Sequence, residues 1–288
     1  MSDPALLLVG HGTRDDAGAE EFRTFTERLG KRLADREVAV GGGFIELSPP
    51  PLSDAMAQLV ADGHRRFAAV PLMLVAAGHA KGDIPGALAR EKERHPGVAV
   101  SYGRPLGPHP TLLRLLIERL ADAGAGPDAT VLLVGRGSTD PDANAEVAKV
   151  ARLLAETTEV AGVEYGFVSL AEPGVLAGLD RCLALGADRV VVLPYFLFNG
   201  VLPDRVAEQA RVWGEVHPDV AVSCAAVLGD TDELADLVIE RYDEALTGDI
   251  RMSCDTCLYR VPLPGFEHRL GAPQLPHHHP DDPLAHHH

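Results

Sequence analysis

Short apolar runs rich in β-branched residues alternate along this chain with longer stretches whose apolar positions recur every three to four residues. The first pattern reads as buried strands and the second as amphipathic helices packed on one face. Strands are predicted near 5–10, 38–46, 67–75 and 97–102, with helices near 16–34, 52–65, 83–94 and 110–123. The same order then returns, with strands near 130–135, 163–170, 189–197 and 219–224, helices between them, and a last helix near 231–246. Regular βα alternation predicts an α/β fold built on parallel sheets, four strands in each half.

The second half repeats the first. LLVGHGTRD at 7–15 returns as LLVGRGSTD at 132–140, FAAVPLML at 67–74 as VVVLPYFL at 190–197, and HPGVAVS at 95–101 as HPDVAVS at 217–223. Three blocks in the same order mean a duplicated domain. The expected division is a lobe over 1–125, a degenerate copy over 126–248 and an irregular tail over 249–288, with Gly124-Ala125-Gly126-Pro127 as the linker. The tail is rich in Pro and His and has no periodicity.

Composition narrows the function. Among 288 residues, 26 Lys and Arg face 42 Asp and Glu, a net charge of −16. That balance argues against nucleic acid or an anionic membrane as partner, since both need clustered positive charge. The chain has neither an apolar run near the ~20 residues of a membrane span nor a basic, then apolar, secretory start, so the cytoplasm is expected. Four cysteines, two of them in the C-x-x-C pair Cys254 and Cys257, suit metal or redox chemistry better than a disulfide framework.

Ligands of open parallel sheets bind at the carboxyl ends of the strands. His11 follows the first strand between Gly10 and Gly12, Glu46 ends the second, and His79 follows the third, so all three are expected on one edge, with the imidazoles open to solvent. Two imidazoles and a carboxylate suit a borderline divalent metal such as cobalt(II), iron(II), nickel(II) or zinc(II), and they also accept protons near neutral pH. Each could instead be a satisfied polar group at a strand end. The repeat supplies a control: the matching positions hold Arg136, Ser169 and Val201. A demand of the fold would act on both halves, so the joint loss points to a function confined to the first.

Other signals are weaker. There is no G-x-x-x-x-G-K-[ST], and Gly41-Gly42-Gly43 precedes a strand, so no nucleotide is indicated. Arg14, Lys81 and Arg104 lie in or after the same strand-end loops and could hold substrate carboxylates, although a solvated surface charge is the ordinary fate of such residues.

LLLVGHGTRD, Glu46 followed by SPPP, and VPLMLVAAGHAKGDIP together resemble the class II chelatases, which insert a metal into sirohydrochlorin. A duplicated chain carrying MSCDTC at 252–257 and a His-rich stretch is similar to the long, cobaltochelatase form of that family. The resemblance covers about the first 260 residues. It implies a bilobal α/β chelatase fold, His11 and His79 as catalytic pair and metal ligands with Glu46 beside them, and a carboxylate-rich tetrapyrrole as partner for Arg14, Lys81, Arg104 and Arg136. It also implies cobalt(II) insertion in cobalamin biosynthesis, with the ferrochelatases of sirohaem synthesis as the alternative. Long members bind an iron–sulfur cluster at M-x-C-x-x-C. Two cysteines cannot complete a four-thiolate cluster, so Cys182, Cys224, another ligand or a second chain in a homodimer would have to contribute. Zinc held by Cys254, Cys257 and histidines such as His268, His277, His278 or His279 is the rival reading. His286, His287 and His288 stand outside any reasoning about the fold. A carrier or store that binds metal without turnover is the alternative from another class.

Overall fold

The computed structural model describes residues 3–248, Tyr259 and 267–272. In the first half, strand β1 (Ala5–Gly10) leads to helix α1 (Asp16–Arg32), β2 (Val40–Phe44) to α2 (Leu52–Ala61), β3 (Arg66–Pro71) to α3 (Ile84–Arg94), and β4 (Ala99–Tyr102) to α4 (Pro110–Asp122). The second half repeats the sequence as β5 (Thr130–Gly135), α5 (Pro141–Thr157), β6 (Gly162–Phe167), α6 (Val175–Ala184), β7 (Arg189–Pro194), α7 (Val201–Val216), β8 (Ala221–Cys224) and α8 (Asp232–Thr247). Each half forms one parallel sheet, in the orders β2-β1-β3-β4 and β6-β5-β7-β8.

The predicted strands and helices are present, mostly with shorter strands than the apolar runs suggested. All six residues of β1, and all six of β5, are buried, as expected of central strands covered by helices on both faces. In the first sheet Leu7, Val9, Phe67 and Ala69 pack with Leu52, Met56, Leu59, Ile84 and Leu88 of the flanking helices. In the second, Leu132, Val134, Val190 and Val192 pack with Leu179, Val206, Ala210 and Trp213. Asp15 caps α1 by accepting from Gly18 N–H at 3.1 Å, and Asp140 caps α5 by accepting from Asp142 N–H at 3.1 Å.

The compact units are offset from the sequence repeat by one helix. One unit comprises residues 1–106 together with 235–288, the other residues 107–234. Thus α4, the last helix of the first repeat, packs on α5 and β7. From Ala235 onward α8 belongs with the first sheet, where Tyr242 donates its hydroxyl to Pro4 O at 2.6 Å and Asp243 pairs with Arg36 at 2.6 Å. Among the described residues, no helix is long and apolar enough to cross a membrane.

Candidate metal centre

The strand order selects where a site can form. The connection from β1 runs to β2 on one side and that from β3 runs to β4 on the other, which opens a crevice beyond the carboxyl ends of β1 and β3. His11 is the first residue after β1, Glu46 lies two residues beyond β2, and His79 follows the loop after β3. The structure brings these three together: their ligand atoms all lie within 4.8 Å of one another, forming the potential metal-binding group among the described residues.

Glu46 sits between the imidazoles. Its Oε1 is 3.3 Å from His11 Nε2 and 4.0 Å from His79 Nε2. The shorter approach lacks hydrogen-bond geometry, and Glu46 Oε1 is a buried oxygen without a hydrogen-bond partner. The two rings meet edge to face, with centroids 4.4 Å apart. Metal–nitrogen and metal–oxygen bonds run ~2.0–2.2 Å, so His11, Glu46 and His79 are the residues that would hold one divalent ion.

The loops that carry the donors are fixed by backbone contacts. Ile45 N–H donates to Gly10 O at 3.0 Å and Glu46 N–H to His11 O at 3.1 Å, continuing the β1–β2 pairing past the sheet. Gly12 has φ +104°, and a Cβ there would stand 1.7 Å from Glu46 O, so no other residue fits. Thr13 N–H donates to Ser48 Oγ at 2.9 Å, and the Ser48 hydroxyl donates to Thr13 O at 2.5 Å.

His79 differs from the expectation of an exposed imidazole: only 7 % of the residue is accessible. It opens a π-helical turn, His79–Asp83, that runs directly into α3. Its Nδ1 lies 2.8 Å from Asp83 Oδ2. Tyr102, at the end of β4, donates its hydroxyl to Ala80 O at 2.7 Å, and burial pushes the phenol upward, keeping it a neutral donor. Neither Asp83 nor Tyr102 figured among the sequence candidates. The spacing of four between His79 and Asp83 in HAKGD was the available signal.

The basic candidates separate. Arg14 is exposed in the loop after β1, and Lys81 is half-buried in the π-helical turn. Arg104 is gripped in a bidentate pair by Glu244, at 2.9 and 2.8 Å, so its guanidinium is already matched to a carboxylate of the protein. Arg136 lies in the second unit, where its carbonyl accepts from Ser169 N–H and Ser169 Oγ–H, each at 3.1 Å. Cys254, Cys257, His277, His278 and His279 lie outside the described residues. Cys182 is enclosed in the apolar core of the second unit, where burial pushes its thiol up to about 12. Cys224 is pushed up to about 11 by the same cause.

Comparison with known proteins shows the family and the fold. The CbiX family model matches twice, over residues 5–123 and 130–245. Sirohydrochlorin cobaltochelatase of Priestia megaterium is 38% identical over 262 residues, 89% of this chain and 85% of that protein. Sirohydrochlorin ferrochelatase of the same organism is 35% identical over 209 residues, 71% of this chain and 77% of that protein. Among solved structures, SirB from Bacillus subtilis with Fe3+ superposes with a TM-score of 0.73 at 29% identity, covering 86% of this chain and 97% of SirB. With the family model matched in both repeats and a relative aligned along most of its length, this chain belongs to the CbiX family.

Proposed function

We propose that this protein is a sirohydrochlorin chelatase, a lyase that inserts a divalent metal into the tetrapyrrole without a nucleotide, and that its metal is cobalt(II). One observation carries the reading: two imidazoles and a carboxylate converge within 4.8 Å at the switch point of the first sheet. The names of the two Priestia relatives supply the substrate, and the cobaltochelatase is the one aligned over the larger share of this chain. Iron(II) is the second reading, favoured by the ferrochelatase relative.

The chemistry asks for two things of these residues. The metal must be held firmly enough to be presented and loosely enough to be passed on, and neutral imidazole with one carboxylate meets that requirement for a borderline ion. Two pyrrole N–H protons must also leave as the metal enters. Glu46 and the imidazole released from the metal are the proton acceptors at hand, and general-base assistance of this kind is worth about 10²- to 10⁴-fold. Arg14 and Lys81, on the two loops that carry the histidines, are the side chains for the substrate's carboxylates. Arg136, in the second unit, is a further candidate for a substrate carboxylate.

The test is anaerobic incubation with sirohydrochlorin and each divalent metal in turn, following the absorbance change on metallation. Turnover fastest with cobalt(II) is the expected result. Iron(II) as the better substrate replaces cobalt with iron, and stoichiometric metal uptake without turnover makes the protein a carrier. His79→Ala should lose about 10²-fold or more of the rate, while Val201→Ala, at the matching position of the copy, should change it little.

A further inference from the structure

We infer that Asp83 is a positioning residue for His79: its carboxylate holds Nδ1 as the N–H donor and so presents Nε2 as the lone-pair atom toward Glu46 and the metal. The inference rests on the chelatase reading only for the identity of the metal.

Geometry comes first. Asp83 Oδ2 is 2.8 Å from His79 Nδ1, and the opposite ring nitrogen, Nε2, is the one 4.0 Å from Glu46 Oε1. A neutral imidazole whose single N–H is held at Nδ1 by a carboxylate carries its lone pair on Nε2, the tautomer a metal needs. Carboxylate–histidine pairs of this type fix ring orientation at metal sites. Both side chains are almost enclosed, with 8 % of His79 and 12 % of Asp83 accessible, so the hydrogen bond is shielded from competing water.

The role is not one the helix itself requires. Asp83 has helical backbone angles, φ −65° and ψ −45°, where the π-turn runs on into α3, so it is not the non-helical residue that caps a helix start. Its side chain makes no capping bond. The turn it closes is also unusual: Ile84 N–H reaches back five residues to His79 O. Such π-turns are rare, cost helix regularity and gather at functional sites.

The copy again provides the comparison. His95 matches His217, and the same spacing pairs Ile84 with Val206 and Leu88 with Ala210, all four of these apolar residues being buried. It pairs His79 with Val201 and Asp83 with Arg205. In that half α7 starts at Val201 as a plain α-helix with no π-turn before it. Histidine, carboxylate and π-turn are therefore present together in one half and absent together from the other.

The experiment compares Asp83→Ala and Asp83→Asn with the wild type in the full chain. Cobalt(II) affinity is read from its visible absorption without any tetrapyrrole, the His79 tautomer from imidazole nitrogen chemical shifts, and metallation from separate kcat and metal KM values. Asp83→Ala should weaken cobalt(II) binding by about 10- to 100-fold and raise the metal KM in proportion, with the His79 shifts moving toward a tautomer mixture. Asp83→Asn keeps an oxygen that accepts from Nδ1–H and should recover most of the affinity and the single tautomer. Unchanged affinity and tautomer in Asp83→Ala would overturn the inference, and so would an Asn variant as impaired as Ala, because charge rather than orientation would then be the cause. If the wild type binds cobalt(II) but never metallates sirohydrochlorin, the chelatase reading fails while the cobalt titrations still decide the role of Asp83.

Discussion

Arg241 is the strongest test of how α8 is joined to the first sheet. It lies in Ile239-Glu240-Arg241 of the last helix, a tripeptide also found at 117–119 in α4, and its side chain is fully buried. Its Nε donates to Pro105 O at 3.2 Å and its Nη2 to Leu106 O at 2.9 Å, while Nη1 reaches Glu240 and Glu244, each at 3.0 Å. Burial pulls its pKa down, helped by the nearby Arg104 cation, and the two glutamates oppose that pull. Replacing Arg241 by Ala removes the donors of two buried carbonyls, at about 1–3 kcal/mol for each unsatisfied group, and opens a cavity. Relief of the guanidinium's own desolvation offsets part of this, so the net cost should be about 3–5 kcal/mol, the usual range for breaking a buried charge network. Arg241→Met fills the space and should cost clearly less. The measurement is urea unfolding followed by far-UV circular dichroism, because the single tryptophan, Trp213, belongs to the second unit. An Arg241→Ala protein within about 1 kcal/mol of wild type, inside the range of ordinary surface substitutions, would refute the reasoning. Buried Tyr242, Val238 and Ala245 would then carry the docking of α8.

Three further expectations follow from the same structure. Gly12→Ala and Gly137→Ala should both fail to give stable protein, since an added Cβ stands 1.7 Å from Glu46 O in one and 1.8 Å from Ser169 O in the other; soluble yield and thermal melts check this. A chain cut after Gly248 should keep both compact units and metallate sirohydrochlorin, whereas a cut at Leu234 removes the part of α8 that completes the first unit and should abolish activity. Cys224, with its thiol raised above the ordinary range, should be alkylated more slowly at pH 8 than a free cysteine and faster as the pH rises, which mass spectrometry checks.

The parts legible in the sequence are those that local pattern determines. Buried parallel strands announce themselves as apolar runs, and β1 and β5 sit where ALLLVG and TVLLVG place them. His11, Glu46 and His79 were visible because strand-end residues can be counted off such runs, and because the copy lacks them. The exchange of α4 and α8 between compact units was not visible: periodicity says which helix face is apolar, not which sheet that face will cover. Arg241 hid for a related reason, since an Arg on a helix reads as solvated until the loop it crosses, Pro105–Leu106, is known. The π-turn escaped because five residues of HAKGD give no distinct periodic signal.

Divergence between the halves separates what the backbone requires from what the chemistry requires. Gly12 and Gly137 both hold positive φ against the carbonyl of the neighbouring loop, and Leu47 and Leu170 share left-handed conformations at φ 67° and 62°. Leucine gains nothing intrinsically there, and the strain costs of order 1–3 kcal/mol, so its persistence in both halves marks it as part of the loop geometry common to the fold. The hydrogen bond from residue 46 to residue 11 likewise has its counterpart from Ser169 to Arg136, at 3.1 Å in each. What changes on this shared frame is the side chains: imidazole to guanidinium, carboxylate to hydroxyl, imidazole to isopropyl. A scaffold kept to hydrogen-bond precision while all three candidate metal donors are exchanged is the pattern expected when one copy is released from catalysis but still needed as a folded body. It also explains why Asp83, whose partner is gone from the copy, is replaced there by an exposed Arg205.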